Sequence, residues 1–106
     1  MSTTAATPDL AEHVIATLRA HEAELRRAGI RHLSLFGSVA RGGAEADSDV
    51  DLLAEFDPAA EMDLIRLVAL ERHIGEALGR PVEILPEPVE SRRLRTNIER
   101  DRVVAF

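Results

Sequence analysis

The sequence predicts a small α/β domain, a short mixed β-sheet flanked by helices, with segments in the order α-β-(α)-β-α-β-α. Three observations predict it. Short apolar runs near 30–36, 50–56 and 82–85 are each closed by Gly37, Asp57-Pro58 or Pro86, as strands are. Between them lie longer stretches whose apolar residues recur at helical spacing. The third observation is size. A chain of 106 residues without a repeat, a low-complexity segment or a linker makes one domain, 1–106, around one modest core.

In chain order, residues 1–6 are small and polar and are expected to form a disordered tail. Thr7-Pro8-Asp9 has the hydroxyl, first-turn proline and early acid of a helix start. Leu10, Val14, Leu18 and Leu25 continue that helix to about Ala28, with Gly29 as its C-cap. Ile30–Phe36 reads as a strand, Ser38–Gly42 as a short helix and Gly43–Ser48 as a loop. Val50–Phe56 is the second strand. Val50, Leu52 and Ala54 face one side, and Asp49, Asp51 and Leu53 the other. Asp57-Pro58 breaks the strand and starts the next helix. Met62, Ile65, Leu67, Val68, Leu70, Ile74 and Leu78 give that helix a wide apolar face, ended by Gly79. Val82–Leu85 is the third strand, closed by Pro86 and Pro88, and the basic segment Ser91–Arg102, with Leu94 and Ile98 one turn apart, is a helix. Val103–Phe106 is apolar with no evident core role and is expected to be a docking tail for a partner, at 103–106.

Composition excludes several function classes. The formal charge is −6 and the pI near 5.2, so direct nucleic-acid binding, which depends on cationic side chains, is not expected. Phe36, Phe56 and Phe106 are too few for a base-stacking platform. Without cysteine there is no disulfide or thiolate metal site. The N-terminus lacks a signal-peptide profile and no apolar run reaches membrane-spanning length, so no membrane partner and a cytoplasmic location are expected. His13, His21, His32 and His73 have no metal-ligand spacing. The arginines 92, 93, 95, 100 and 102 form either a solvated helix face or a contact for acidic or phosphate groups.

The chemistry is concentrated in Leu35-Phe36-Gly37-Ser38-Val39-Ala40-Arg41-Gly42-Gly43 and the Asp47-Ser48-Asp49-Val50-Asp51-Leu52 run that follows. On a strand, Asp49 and Asp51 point to the same face. Carboxylates placed together raise each other's pKa unless a cation lies between them. Magnesium suits that role, because one or two carboxylates and substrate phosphates commonly hold it. The Gly37-Ser38 turn brings backbone N–H groups near a phosphate, although Ser38 could instead only cap the short helix. Arg41 reads equally as a phosphate contact or as a surface partner of Glu45 or Asp47. Together these features suggest a site for a metal-bound nucleoside triphosphate.

Gly37-Ser38, ten intervening residues, then Asp49-Val50-Asp51 resembles the motif of the DNA-polymerase-β-like nucleotidyltransferases. With the Arg41-Gly42 pair, this length and a later acidic strand, it is similar to the minimal nucleotidyltransferases (MNT), antitoxin partners of HEPN-domain toxins. The likeness runs from about Thr7 to Arg102. It implies the small nucleotidyltransferase fold and magnesium, two ions, held by Asp49, Asp51 and Glu83. Glu83 stands where the family usually has aspartate, and would complete a metal site and help deprotonate the acceptor. The resemblance also implies nucleotide binding by Gly37, Ser38, Arg41 and Ser48. The implied reaction is transfer of AMP from ATP to a tyrosine hydroxyl of the cognate HEPN ribonuclease, in a type VII-like toxin–antitoxin pair forming a hetero-oligomer.

Two other readings compete. A catalytically weak antitoxin would neutralise its toxin by stoichiometric binding, and the Glu83 departure favours it. Transfer to a small molecule is disfavoured, because the chain has no room for a second, acceptor-holding domain.

Overall fold

The computed structural model describes residues 10–42 and 49–106. It shows a four-stranded mixed sheet and five α-helices. The helices are α1 Leu10–Ala20, α2 Glu22–Arg27, α3 Gly37–Arg41, α4 Leu64–Leu78 and α5 Arg92–Asp101. The strands are β1 Ile30–Phe36, β2 Val50–Phe56, β3 Val82–Pro86 and β4 Val103–Val104. Sheet order is β3-β2-β1-β4; β2 runs parallel to β3, and β1 is antiparallel to both β2 and β4. Among the described residues no helix is long and apolar enough to cross a membrane.

Strand alternation divides the core. Leu33, Leu35, Val50, Leu52, Ala54 and Ile84 pack with Val14, Leu18 and Leu25 and with Leu70, Ile74 and Leu78 of α4. On the other face Leu53 packs with Val89 and Ile98, flanked by Phe36, Leu85 and Leu94. The first face is sealed by α1, α2 and α4. On the second face α5 packs against Leu53, and Asp51, two residues earlier on β2, points to the same side.

Several local expectations change. The proposed start at Thr7-Pro8-Asp9 lies outside the described residues. The single helix to Ala28 is two helices separated at His21, whose Nδ1 lies 2.9 Å from the Thr17 carbonyl. Gly29 follows the second with φ +112°. A 3₁₀ turn at Pro58–Ala60 intervenes before α4, which starts only at Leu64. There Asp63 caps the helix by accepting from the Arg66 N–H at 2.8 Å. The apolar face of α4 is buried only at Leu70, Ile74 and Leu78 and partly at Leu67; Ile65 and Val68 are exposed. The first turns of the helix leave their apolar residues exposed, so periodicity marked a stripe wider than the one that is buried.

The largest correction concerns 103–106. Val103 and Val104 pair with Leu35 and Ser34 of β1, Ala105 is 3% exposed, and Leu33 exchanges backbone hydrogen bonds with Ala105 and Phe106. Arg19 donates to the Ala105 carbonyl at 2.8 Å, and the Arg26 guanidinium lies 4.8 Å from the Phe106 ring centroid. The segment therefore closes the β1 edge and has a core role. Only the outer sides of Val103 and Val104 are left exposed. Sequence could not show this, because a two-residue strand has no period. Phe106→Ala is expected to cost about 1–2 kcal/mol through lost ring contacts. Thermal melting checks this, and an unchanged Tm would return the ring to the surface.

Candidate active site

β1 ends at Phe36, which is extended, and the chain then turns at Gly37 with φ +80° into α3. Phe36 lies opposite Asp51 in the β1–β2 ladder, so the turn is set directly beside the acid. A Cβ on Gly37 would collide with Oδ2 of Asp51 and sit 3.3 Å from its Cγ. Both the backbone angle and the close approach require glycine here. Ser38 occupies the second position of α3.

Asp51 is the second residue of β2, and Glu83 is its register partner on β3. Partners in a parallel ladder present their side chains on the same face, so the two carboxylates stand together. Asp49 lies one residue before β2, exposed, while Val50 anchors the strand by donating to the Pro81 carbonyl at 2.9 Å. Partial burial pushes the Asp51 carboxyl above its ordinary pKa, the negative charges of Glu83 and Asp49 push it further, and Arg41 opposes them. All three acids therefore meet electrostatically at Asp51.

The cleft over Asp51 has a volume of about 450 Å³. Phe36, Leu85 and Leu94 form its apolar walls, and Asp51, Glu71 and Glu83 its acidic side. A groove of about 460 Å³ lies across the sheet between α2 and α4, lined by residues such as Glu24, Met62, Arg66 and His73. The crowding of like charges distinguishes the cleft at Asp51 as the chemical site.

Among the described residues no three His, Cys, Asp or Glu side chains converge closely enough to form a closed metal cage. The donor set nevertheless fits magnesium. This ion is commonly bound by one or two carboxylates, with water and substrate phosphate filling the other positions. Burial raises the Asp51 pKa most, and the neighbouring charges of Glu83 and Asp49, which raise it further, are what a cation would relieve.

Arg41 has a partner that sequence did not suggest. Its Nη1 donates to Oδ2 of Asp101 at 2.8 Å, tying the end of α3 to the end of α5. The alternatives Glu45 and Asp47 lie outside the described residues, as does Ser48. About half of the Arg41 side chain is exposed, and its charge reaches Asp51, so it borders the acidic cleft while held by Asp101. The arginine cluster is divided: Arg95 donates to the Val89 carbonyl, and Arg102 to the buried Ser34 hydroxyl at 3.0 Å, while Arg92 and Arg93 are exposed.

The hydrogen bond from Arg41, with a further one from Arg100, holds the Asp101 carboxyl below its ordinary pKa despite desolvation. A lowered folded value gives stability that is present above the unfolded pKa of about 3.8 and lost as pH falls through the folded value. Asp101→Asn is therefore expected to lower Tm at neutral pH, and the difference should close in acid. An equal deficit at both ends of the pH range would refute the ionic account.

Sequence reasoning missed Glu71. Its signal is that it falls on the apolar stripe of α4, between Leu67 and Ile74 at helical spacing, where a charge is out of pattern. Asp101 had no comparable signal, since its contact joins residues 60 apart in the chain.

The chain is similar to known proteins along most of its length. The nucleotidyltransferase domain family matches residues 18–105. Protein adenylyltransferase MntA of Thermococcus cleftensis is 39% identical over 75 residues, 70% of this chain and 74% of that protein. A solved structure assigned as a minimal nucleotidyltransferase superposes with a TM-score of 0.73 at 34% identity, covering 91% of this chain and 95% of that one. A chain from the complex of tri-AMPylated Shewanella oneidensis HEPN toxin with MNT antitoxin gives 0.62 at 18% identity, covering 87% and 71%, a likeness of fold. With the glycine turn set against a strand acid whose register partner is a second acid, and with a match over most of its length, the chain belongs to the nucleotidyltransferase domain family and is an enzyme of that class, homologous to a protein adenylyltransferase.

Proposed function

We propose that this chain is the antitoxin of a HEPN–MNT pair and silences its toxin by moving AMP from ATP to a tyrosine hydroxyl of that protein. The observation that carries the reading is the register pairing of Asp51 with Glu83, beside Gly37, in a chain so similar to an adenylyltransferase. The complex containing a tri-AMPylated HEPN toxin supports the choice of acceptor protein.

In this reaction the tyrosine oxygen attacks the α-phosphorus of ATP in line. The bond from that phosphorus to the bridging oxygen breaks, and pyrophosphate leaves. Magnesium, two ions in the scheme the resemblance implies, would supply charge neutralisation for the attacking and leaving oxygens. Asp49, Asp51 and Glu83 would hold it, and Glu83 also accepts the hydroxyl proton. Gly37 admits the backbone close to the phosphates, Ser38 and Ser48 offer hydroxyls to them, and Arg41 offers positive charge at the rim. The acceptor tyrosine is presented by the partner's surface, in a hetero-oligomer working in the cytoplasm. The acidic composition favours a protein acceptor over nucleic acid.

A second reading, neutralisation by stoichiometric docking, draws support from one observation: the register partner of Asp51 is a glutamate, Glu83, where the resemblance implies aspartate. Intact-mass spectrometry of the HEPN protein after incubation with this chain, magnesium and ATP separates the two. Mass gains of whole AMP units establish transfer. An unmodified toxin that co-purifies tightly with this chain would establish docking instead.

A further inference from the structure

Resting on the reading of this cleft as a transferase site, we infer that Glu71 is a positioning residue that aims Glu83 at Asp51 by holding the Glu83–Ile84 peptide. Among the described residues β3 is an edge strand, with β2 on one side and no strand on the other. Ile84 is 4% exposed and belongs to the main core, so its N–H has no ready access to water. Glu71 Oε2, reaching across from α4, accepts that N–H at 2.7 Å. A buried donor left without a partner is costly, which explains why a carboxylate is retained on the apolar stripe.

The bond does more than cap an edge. The Ile84 N–H belongs to the planar peptide unit that contains the carbonyl carbon of Glu83. Fixing that plane limits rotation on one side of the Glu83 Cα, and hence the direction of its Cα–Cβ bond. Glu83 is exposed at the sheet edge, so the backbone sets its aim. Glu71 also lines the cleft. Its Oε2 is engaged by the Ile84 N–H, so Glu71 acts there as a hydrogen-bond acceptor for the scaffold.

Glu71→Gln, Glu71→Ala, Glu83→Ala and the Glu71→Ala, Glu83→Ala double variant test the inference. The measurements are AMP transfer to the HEPN protein, affinity for magnesium with a non-hydrolysable ATP analogue, and hydrogen exchange at the Ile84 amide. Gln keeps an acceptor oxygen, so Glu71→Gln should hold transfer within about threefold and keep Ile84 protected. Glu71→Ala should expose the Ile84 amide and lower kcat/KM by about tenfold, the effect of losing a supporting partner behind a site ligand. Its loss of affinity should vanish in the Glu83→Ala background, where there is no carboxylate left to aim. Affinity losses that add in the double variant, or a Gln variant as impaired as Ala, would overturn the positioning role. A wild-type chain that transfers no AMP overturns the functional reading and this inference with it. Active wild type with an equally active Glu71→Ala overturns the inference alone.

Discussion

Asn in place of Asp51 is expected to abolish AMP transfer while making the free protein more heat-stable at neutral pH. On the proposed function Asp51 would hold the catalytic cation, and losing its carboxylate would remove several kcal/mol of transition-state stabilisation, on the order of a thousandfold in rate. The stability gain has a different origin. Burial and the charges of Glu83 and Asp49 raise the Asp51 pKa in the fold. A raised folded value means that the contribution to stability is fully present below the unfolded value of 3.8 and is lost as pH rises through the folded value. At neutral pH the ionised carboxylate therefore works against folding, and the neutral amide removes that penalty. Melting curves should show Asp51→Asn above wild type at pH 7, with the difference closing in acid. A lower Tm at pH 7 would show that Asp51 supports the fold and that the rate loss cannot be read as chemistry. Asp49→Asn should also lose transfer with its fold intact, since Asp49 is exposed outside the strand.

Gly37→Ala should damage both stability and activity. At φ +80° an alanine is strained by about 1–2 kcal/mol, which lowers the Tm of a domain this size by roughly 5–10 °C. Its Cβ also displaces Asp51, because it would collide with Oδ2 of that residue. Activity should therefore fall further than the stability loss explains, even where the variant is fully folded. Gly42→Ala is the internal control. Gly42 shares a left-handed φ of +81°, but a Cβ there meets no described residue within 4 Å. It should show a comparable loss of Tm with most transfer retained. Equal loss of transfer in the two variants at a temperature where both are folded would remove the close approach to Asp51 as the cause.

The described helices and strands differ from the sequence reading where context decides. Ile65 and Val68 fit the periodic stripe as well as Leu70 and Ile74 do, yet they are exposed. Whether an apolar residue is buried depends on what lies opposite it, and periodicity carries no such information. The same limit applied to 103–106. An apolar end with no pattern looked free until β1 was seen to have an open edge that it could pair.

The sequence by itself determined the α/β class, the three longer strands, the glycine turn and the placing of Asp51 on the site face. Each follows from local rules: alternation along a strand, helical spacing and the special backbone of glycine. Only the tertiary structure decided that Glu83 is the register partner of Asp51, that Asp101 holds Arg41, that Glu71 secures the Ile84 N–H and that the last residues close the sheet. Sheet register and contacts between distant helices join residues whose separation in the chain has no fixed value, and for that reason no local spacing rule could have found them.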